Sequence, residues 1–271
     1  MENENKISLL QYYNQHFAFF CTKYGKPNLR LSKKIIHQLR IEIKNMRAIF
    51  DLLTLTGNEK CTPENNITIF DKLFKAAGNV REEQVNLSIV NKYFYPKSLG
   101  IFKKHLYKRK RSEFRVLHKA IKEFSLYIGE HRPMENKEII ASNNQDEISR
   151  QIQSYIQKGI KRVKKLYPVL SSKNLHNIRK ELKYISIIAN FNNEIAPNKK
   201  IAKLHAKIKP MEILIGDWHN RIVLLRSIEE FLMRDESFPE LLMLKKLTRI
   251  IKKQNKKTIH QVDIKMGKIF G

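Results

Sequence analysis

Two segments 139 residues apart, HQLRIEIKNMR at His37 to Arg47 and HNIRKELKYIS at His176 to Ser186, repeat one pattern of histidine, arginine and lysine. In the first copy His37, Arg40, Lys44 and Arg47 stand at offsets of 0, 3, 7 and 10, which on a helix confines them to an arc of about 80°. Ile36, Leu39, Ile43, Met46 and Phe50 fall on the adjoining arc, so the same helix can bury one side and present cations on the other. The second copy keeps His176, Arg179 and Lys183 beside an apolar stripe of Ile178, Leu182, Ile185 and Ala189, with Ser186 in place of the last cation. A duplicated amphipathic helix of this kind calls for a duplicated helical core.

The rest of the chain agrees. No sustained period-2 alternation suggests a sheet, and apolar residues recur at helical spacing between proline and glycine breaks, which predicts an all-α fold. Ser8 and Gln11 resemble a capping box opening a helix to about Tyr24, and Ser32 is placed to cap a second from about Leu31 to Leu55. A third helix is expected to stop at Gly78 and resume through Asn79 to Tyr95, and a fourth to run from about Ser98 to Ile128. Residues 129–144 are polar, contain Pro133 and lack a long apolar stripe, which makes them the expected linker between a first helical half, 1–130, and a second, 145–258. The second half is expected to hold helices from Glu147 to Tyr167, through His176 to about Phe191, from Lys200 to Ile215 with a kink at Pro210, and after Pro239, with a frayed tail beyond about Thr258.

The repeat extends past the histidine helices. GNVREEQV from Gly78 and GDWHNRIV from Gly216 lie 138 residues apart, so that Gly78 matches Gly216, Arg81 matches His219 and Val85 matches Val223. A dense positive run holding Lys104, Lys108 and Arg111 is answered near the carboxy terminus by one holding Lys245, Arg249 and Lys252. A period this long is too large for a solenoid unit and fits duplication of a helical half.

Charge narrows the function. The chain carries 53 Lys and Arg against 26 Asp and Glu, a formal net charge of +27, which points to an anionic partner. Two cysteines, Cys21 and Cys61, make neither a disulfide framework nor a cysteine zinc site, and the cytoplasm is the expected compartment. The start MENENKISLL lacks the regions of a signal peptide, and no apolar run reaches the roughly 20 residues that span a bilayer. Neighbouring cations oppose a metal site built on His37 and His176. No phosphate-binding glycine loop, nucleophile elbow, H-E-x-x-H motif or clustered carboxylate pattern suggests an enzyme or a cofactor.

The paired H-x-x-R-x-x-x-K helices, each followed by a glycine-led element, resemble the CHAD family, the conserved histidine α-helical domain, over nearly the whole chain. The resemblance implies a pseudo-symmetric bundle of long helices with a basic central groove that binds inorganic polyphosphate without catalysis, and an association with polyphosphate granules. The motif residues carried over are His37, Arg40, Lys44 and Arg47 in the first half and His176, Arg179 and Lys183 in the second, with Arg81 and His219 from the glycine-led elements. The family often has arginine at Lys44, an acidic residue, most often Asp, at Glu82 and Asn220, and further cations at Asn45 and Ser186. The second half is therefore expected to hold its ligand less tightly, or to lean on its carboxy-terminal lysines.

Physically, a linear polyphosphate offers evenly spaced anionic oxygens and no base edges, so it calls for forked arginine donors and lysine point charges at intervals. Nearby phosphate favours charged histidine, so binding is expected to tighten at mildly acid pH if His37 and His176 touch the ligand. A nucleic-acid-binding module explains the net charge equally well, although no zinc finger, RNP-like strand or basic zipper is present. A peripheral membrane protein would need exposed bulky apolar faces, whereas the stripes here are needed for the bundle.

Overall fold

A computed structural model describes residues 9–55, 64–93, 98–130, 145–195, 197–233 and 239–270. Among these residues the regular elements are helices: α1 (Leu9–Tyr24), α2 (Lys33–Leu55), α3 (Glu64–Tyr93), α4 (Gly100–Glu130), α5 (Gln145–Leu166), α6 (Ser172–Ile195), α7 (Lys199–Leu232) and α8 (Leu241–Phe270). The expected capping residue Ser8 and the linker residues 131–144 lie outside the described residues.

The histidine helices start where their side chains say they should. Ser32 Oγ accepts the backbone N–H of Ile35 at 3.2 Å, and Ser171 Oγ accepts that of Asn174 at 3.2 Å. Each satisfies a donor that a helix start leaves without an intrahelical partner. The two caps are themselves 139 residues apart, so the repeat includes the signal that sets the register of α2 and α6.

The expected stop at Gly78, helix end at Ile215 and frayed tail do not occur. Gly78 lies inside the continuous 30-residue α3, and Pro210 inside the continuous 34-residue α7, which Asn198 caps through the N–H groups of Lys200 and Ile201. Local propensity loses to burial at both places: Ala77 and Val80 flank Gly78, Ile208 and Met211 flank Pro210, and all four are in the core. The tail beyond Thr258 is not frayed, because α8 continues to Phe270 and buries Val262 and Met266 against the second half.

The core has three parts. Phe20, Ile36, Leu39, Ile43, Leu73, Val80, Ile121 and Phe124 join α1 through α4. Ile152, Val163, Ile178, Leu182, Ile185, Met211, Ile215, Trp218 and Val262 join α5 through α8, and Met46 and Ile49 from the end of α2 are built into the same cluster. Leu87, Val90, Phe102, Leu106, Leu224, Ile228, Leu244, Leu247 and Ile251 form a third cluster, drawn from α3, α4, α7 and α8. The chain halves are therefore sealed by shared apolar packing. Polar ties cross the same seam: the Glu240 carboxylate, just before α8, accepts the N–H groups of Ile101 at 2.9 Å and Phe102 at 3.2 Å and so caps α4. Arg109 of α4 bridges Glu83 of α3 at 2.8 Å and Glu230 of α7 at 3.0 Å. This arrangement brings α2 against α6 and α3 against α7, the helices that carry the repeated motifs.

Candidate functional site

Where α2, α3, α6 and α7 converge there is a cleft of about 340 Å³. Its lining includes His37, Arg40 and Lys44 from α2, Gly78, Arg81 and Glu82 from α3, Arg179 and Lys183 from α6, and Glu212, Gly216, Asp217 and His219 from α7. Residues 139 positions apart in the chain thus face one space.

Arg40 is held from two sides. Its Nη1 donates to the carbonyl oxygen of Phe74 at 2.7 Å, and its guanidinium lies over the Phe74 ring at 4.1 Å. The guanidinium passes against Gly78, where a Cβ would come within 2.4 Å of Nη1. Arg179, its counterpart, is held differently. The position that corresponds to Phe74 at the 138-residue offset is Glu212, whose charge favours the protonated form of Arg179, and no side chain crowds Gly216. The buried Nε of Arg179 has no hydrogen-bond partner.

Lys44 and Lys183 meet across the α2–α6 contact. Burial, then the charges of Lys183, Arg40 and Arg179, push Lys44 down to about 7, and burial with Arg179 pushes Lys183 down to about 8. A fall from 10.5 to about 7 corresponds to a penalty of roughly 5 kcal/mol on the charged form of Lys44, as an order of magnitude. An anion between the two would relieve it.

The histidines stand at the margins of the same constellation. His37 is lowered by its own desolvation and then by Arg81, while the ring of His176 lies 5.3 Å from that of His219. His219 is pushed down to about 4 by burial and then by Arg179 and His176, and His176 is lowered by burial and Arg179. All three histidines have their neutral form favoured.

Other residues singled out in the sequence lie elsewhere. Arg47 pairs with Asp71 and stacks over Phe74 at 4.3 Å, outside the cleft lining. The position matching Asp71 in the second half is Lys209, which pairs with Glu212 at 2.8 Å. Where Arg47 gives way to Ser186, the acid that held it has also been replaced. Lys104, Lys108 and Arg111 on α4, and Lys245, Arg249 and Lys252 on α8, are solvent-exposed and do not line the cleft. Glu212 and Asp217 in the lining were not anticipated; Asp217 could have been found as the neighbour of Gly216, whereas Glu212 has an unrelated residue at its repeat position.

Among the described residues, no group of three or more His, Cys, Asp or Glu side chains could hold a metal, and no helix is long and apolar enough to cross a membrane.

The described residues form a bundle of helices, and the sequence matches the family model for the CHAD domain over residues 23–229. The chain belongs to the CHAD family. Its fold is similar to that in the crystal structure of the CHAD domain from the plant Ricinus communis, with a TM-score of 0.69 over 96% of this chain and 86% of that one, at 12% identity. At that identity the likeness speaks for the fold. A search of curated proteins returned no match.

Proposed function

We propose that this chain binds inorganic polyphosphate in the cleft between α2, α3, α6 and α7, and that it does so without catalysis. The observation that carries the reading is the contact of Lys44 with Lys183, flanked by Arg40 and Arg179 one turn earlier on the same two helices. Bringing like charges together costs free energy unless an anion is expected between them. Arg40 and Arg179 both line the cleft, and their guanidinium groups are of the kind that phosphate oxygens accept from. Glu82, Glu212 and Asp217 temper the charge of the lining, and Glu212 is already engaged by Lys209.

His37, Arg81 and His219 complete the proposed site from its edges, and His176 supports it through His219. The exposed cations of α4 and α8 would extend the interaction along a chain longer than the cleft can hold. Arg47, tied to Asp71, would act on the ligand only by positioning Phe74 and Arg40. The proposed setting is the cytoplasm, at polyphosphate granules.

Competition tests the reading. Labelled long-chain polyphosphate is expected to resist displacement by double-stranded DNA at equal phosphate concentration; displacement by DNA would favour a general nucleic-acid or polyanion binder instead. Incubation of polyphosphate with the protein and a divalent metal is expected to release no phosphate.

A further inference from the structure

We propose that the same cleft also takes a nucleoside polyphosphate, with its phosphates toward α2 and α6 and its sugar toward α3 and α7. This rests on the reading of the cleft as a phosphate site and adds a second class of ligand to it.

The lining is divided by helix. α2 and α6 contribute Arg40, Lys44, Arg179 and Lys183, donors that suit phosphate oxygens, and Arg81 of α3 is the remaining lysine or arginine of the lining. Every carboxylate and carboxamide of the lining comes from α3 or α7, among them Glu82, Asn86, Asp217 and Asn220, which can all accept hydrogen bonds. The internal phosphates of a polyphosphate carry acceptors only, so a bare polymer gives these groups nothing to accept. A ligand that satisfies both sides joins phosphates to hydroxyl or amine donors.

Asn86 makes the need concrete. It lines the cleft and is fully buried, and neither its amide nitrogen nor its amide oxygen has a hydrogen-bond partner. Leaving such a group unpaired costs about 1–3 kcal/mol, so a buried amide is normally bonded. Glu83, one turn earlier, is close enough for the amide to favour its charged form, yet it does not meet the need. One of its carboxylate oxygens is spent on Arg109 at 2.8 Å, and the other is itself without a partner. Glu82 and Asp217 are exposed and form no ion pair among the described residues. Mere moderation of the positive charge would call for the two carboxylates but not for an unpaired buried amide.

A nucleoside supplies what is missing. Adjacent ribose hydroxyls donate to an acidic side chain, as they do in dinucleotide sites. Ile41, Val85, Ile213 and Val223, also in the lining, offer apolar contact to a base, and a cleft of about 340 Å³ falls in the range of roughly 300–1,000 Å³ usual for small-ligand sites. An inositol polyphosphate, charged around its whole rim, would set phosphates against Glu82 and Asp217.

The test is calorimetric titration of the intact protein, without divalent metal, with ATP, its 2′,3′-dideoxy analogue and inorganic triphosphate. ATP is expected to bind roughly tenfold more tightly than triphosphate despite its lower charge, the worth of one or two hydrogen bonds, and to displace labelled polyphosphate. The dideoxy analogue should lose most of that margin, and Asn86→Leu, close in shape, should narrow it with helicity retained. Glu82→Ala combined with Asp217→Ala is expected to move the two ligands in opposite directions, triphosphate tightening severalfold as repulsion is removed and ATP weakening. ATP no tighter than triphosphate, a margin kept in full by the dideoxy analogue, or equal tightening of both ligands in the double variant overturns the proposal. Polyphosphate binding on the same sample separates the two claims. Binding of polyphosphate and triphosphate without preference for ATP sinks only the nucleoside, and absence of any binding sinks the reading of the cleft on which it rests.

Discussion

Arg40 of α2 runs so close to Gly78 of α3 that a methyl group added at Gly78 would lie 2.4 Å from its guanidinium nitrogen, whereas the same addition at Gly216 meets nothing within 4 Å. The repeated glycines therefore do different work. Gly78→Ala is expected to push the Arg40 guanidinium off Phe74 and weaken polyphosphate binding severalfold, with stability little changed. Gly216→Ala should leave affinity nearly unchanged and stabilise α7 by up to about 1 kcal/mol, the usual gain in a helix interior. Thermal denaturation and titration of the two variants side by side check the contrast.

The proximity of Lys44 and Lys183 sets a pH dependence. In the free cleft their protonated forms are disfavoured, with values of about 7 and about 8, and a bound polyanion would raise both toward the ordinary lysine range. Binding is then accompanied by proton uptake, and affinity falls as pH rises from about 7 toward 10, the span between the free and ordinary values. Calorimetry near pH 8 in buffers of different ionisation enthalpy should report uptake of protons. Buffer-independent heats would contradict it.

Without ligand the sign reverses. A lysine whose value is lower in the folded than in the unfolded state makes the unfolded chain bind more protons between about 7 and 10.5, so its contribution to stability rises with pH across that window and is lost as pH falls through it. Lys44→Met should stabilise the free protein at neutral pH by about 1–2 kcal/mol, as replacing an uncompensated buried charge with an apolar side chain often does, and flatten this pH profile while weakening polyphosphate binding. A stability loss on this substitution would argue against the depressed lysine.

Glu240 offers a separation of fold from function. It caps α4 from the turn before α8, and Glu240→Ala is expected to cost about 1 kcal/mol of stability, the usual value of a helix cap, without changing polyphosphate affinity. Chemical denaturation beside a binding titration measures both.

The exposed cations of α4 should matter only for long polymers. Replacing Lys104, Lys108 and Arg111 by alanine is expected to leave short-chain binding unchanged and, for long chains, to reduce the slope of log affinity against log salt by about 1 for each phosphate no longer neutralised. Salt titrations at two polymer lengths decide this.

Much of this molecule was legible because its signals are repeated. The apolar stripes Ile36, Leu39, Ile43, Met46 and Ile178, Leu182, Ile185, Ala189 are all buried, and Ser32 caps α2 as its position suggested. Seven of the residues singled out as cationic or histidine ligands, His37, Arg40, Lys44, Arg81, Arg179, Lys183 and His219, line one cleft. What stayed hidden depends on partners distant in the chain. Gly78 read as a break because local propensity cannot register the core residues on either side of it. Arg47 read as the fourth ligand because Asp71, which holds it, belongs to another helix. The cations of α4 and α8 could not be assigned to a face or a cleft from charge alone, since both readings give the same run of lysines and arginines.

The central claim is that Arg40 and Arg179, contributed by the two copies of the motif, grip the same polyphosphate chain. Titration of long-chain polyphosphate into the wild type and into Arg40→Ala combined with Arg179→Ala, at one salt concentration and with helicity checked by circular dichroism, measures it most directly. Removing each guanidinium is expected to cost on the order of 1.5–3 kcal/mol, the range of hydrogen bonds to charged groups, so the double variant should bind at least a hundredfold more weakly. Unchanged affinity in a helical double variant would contradict the account.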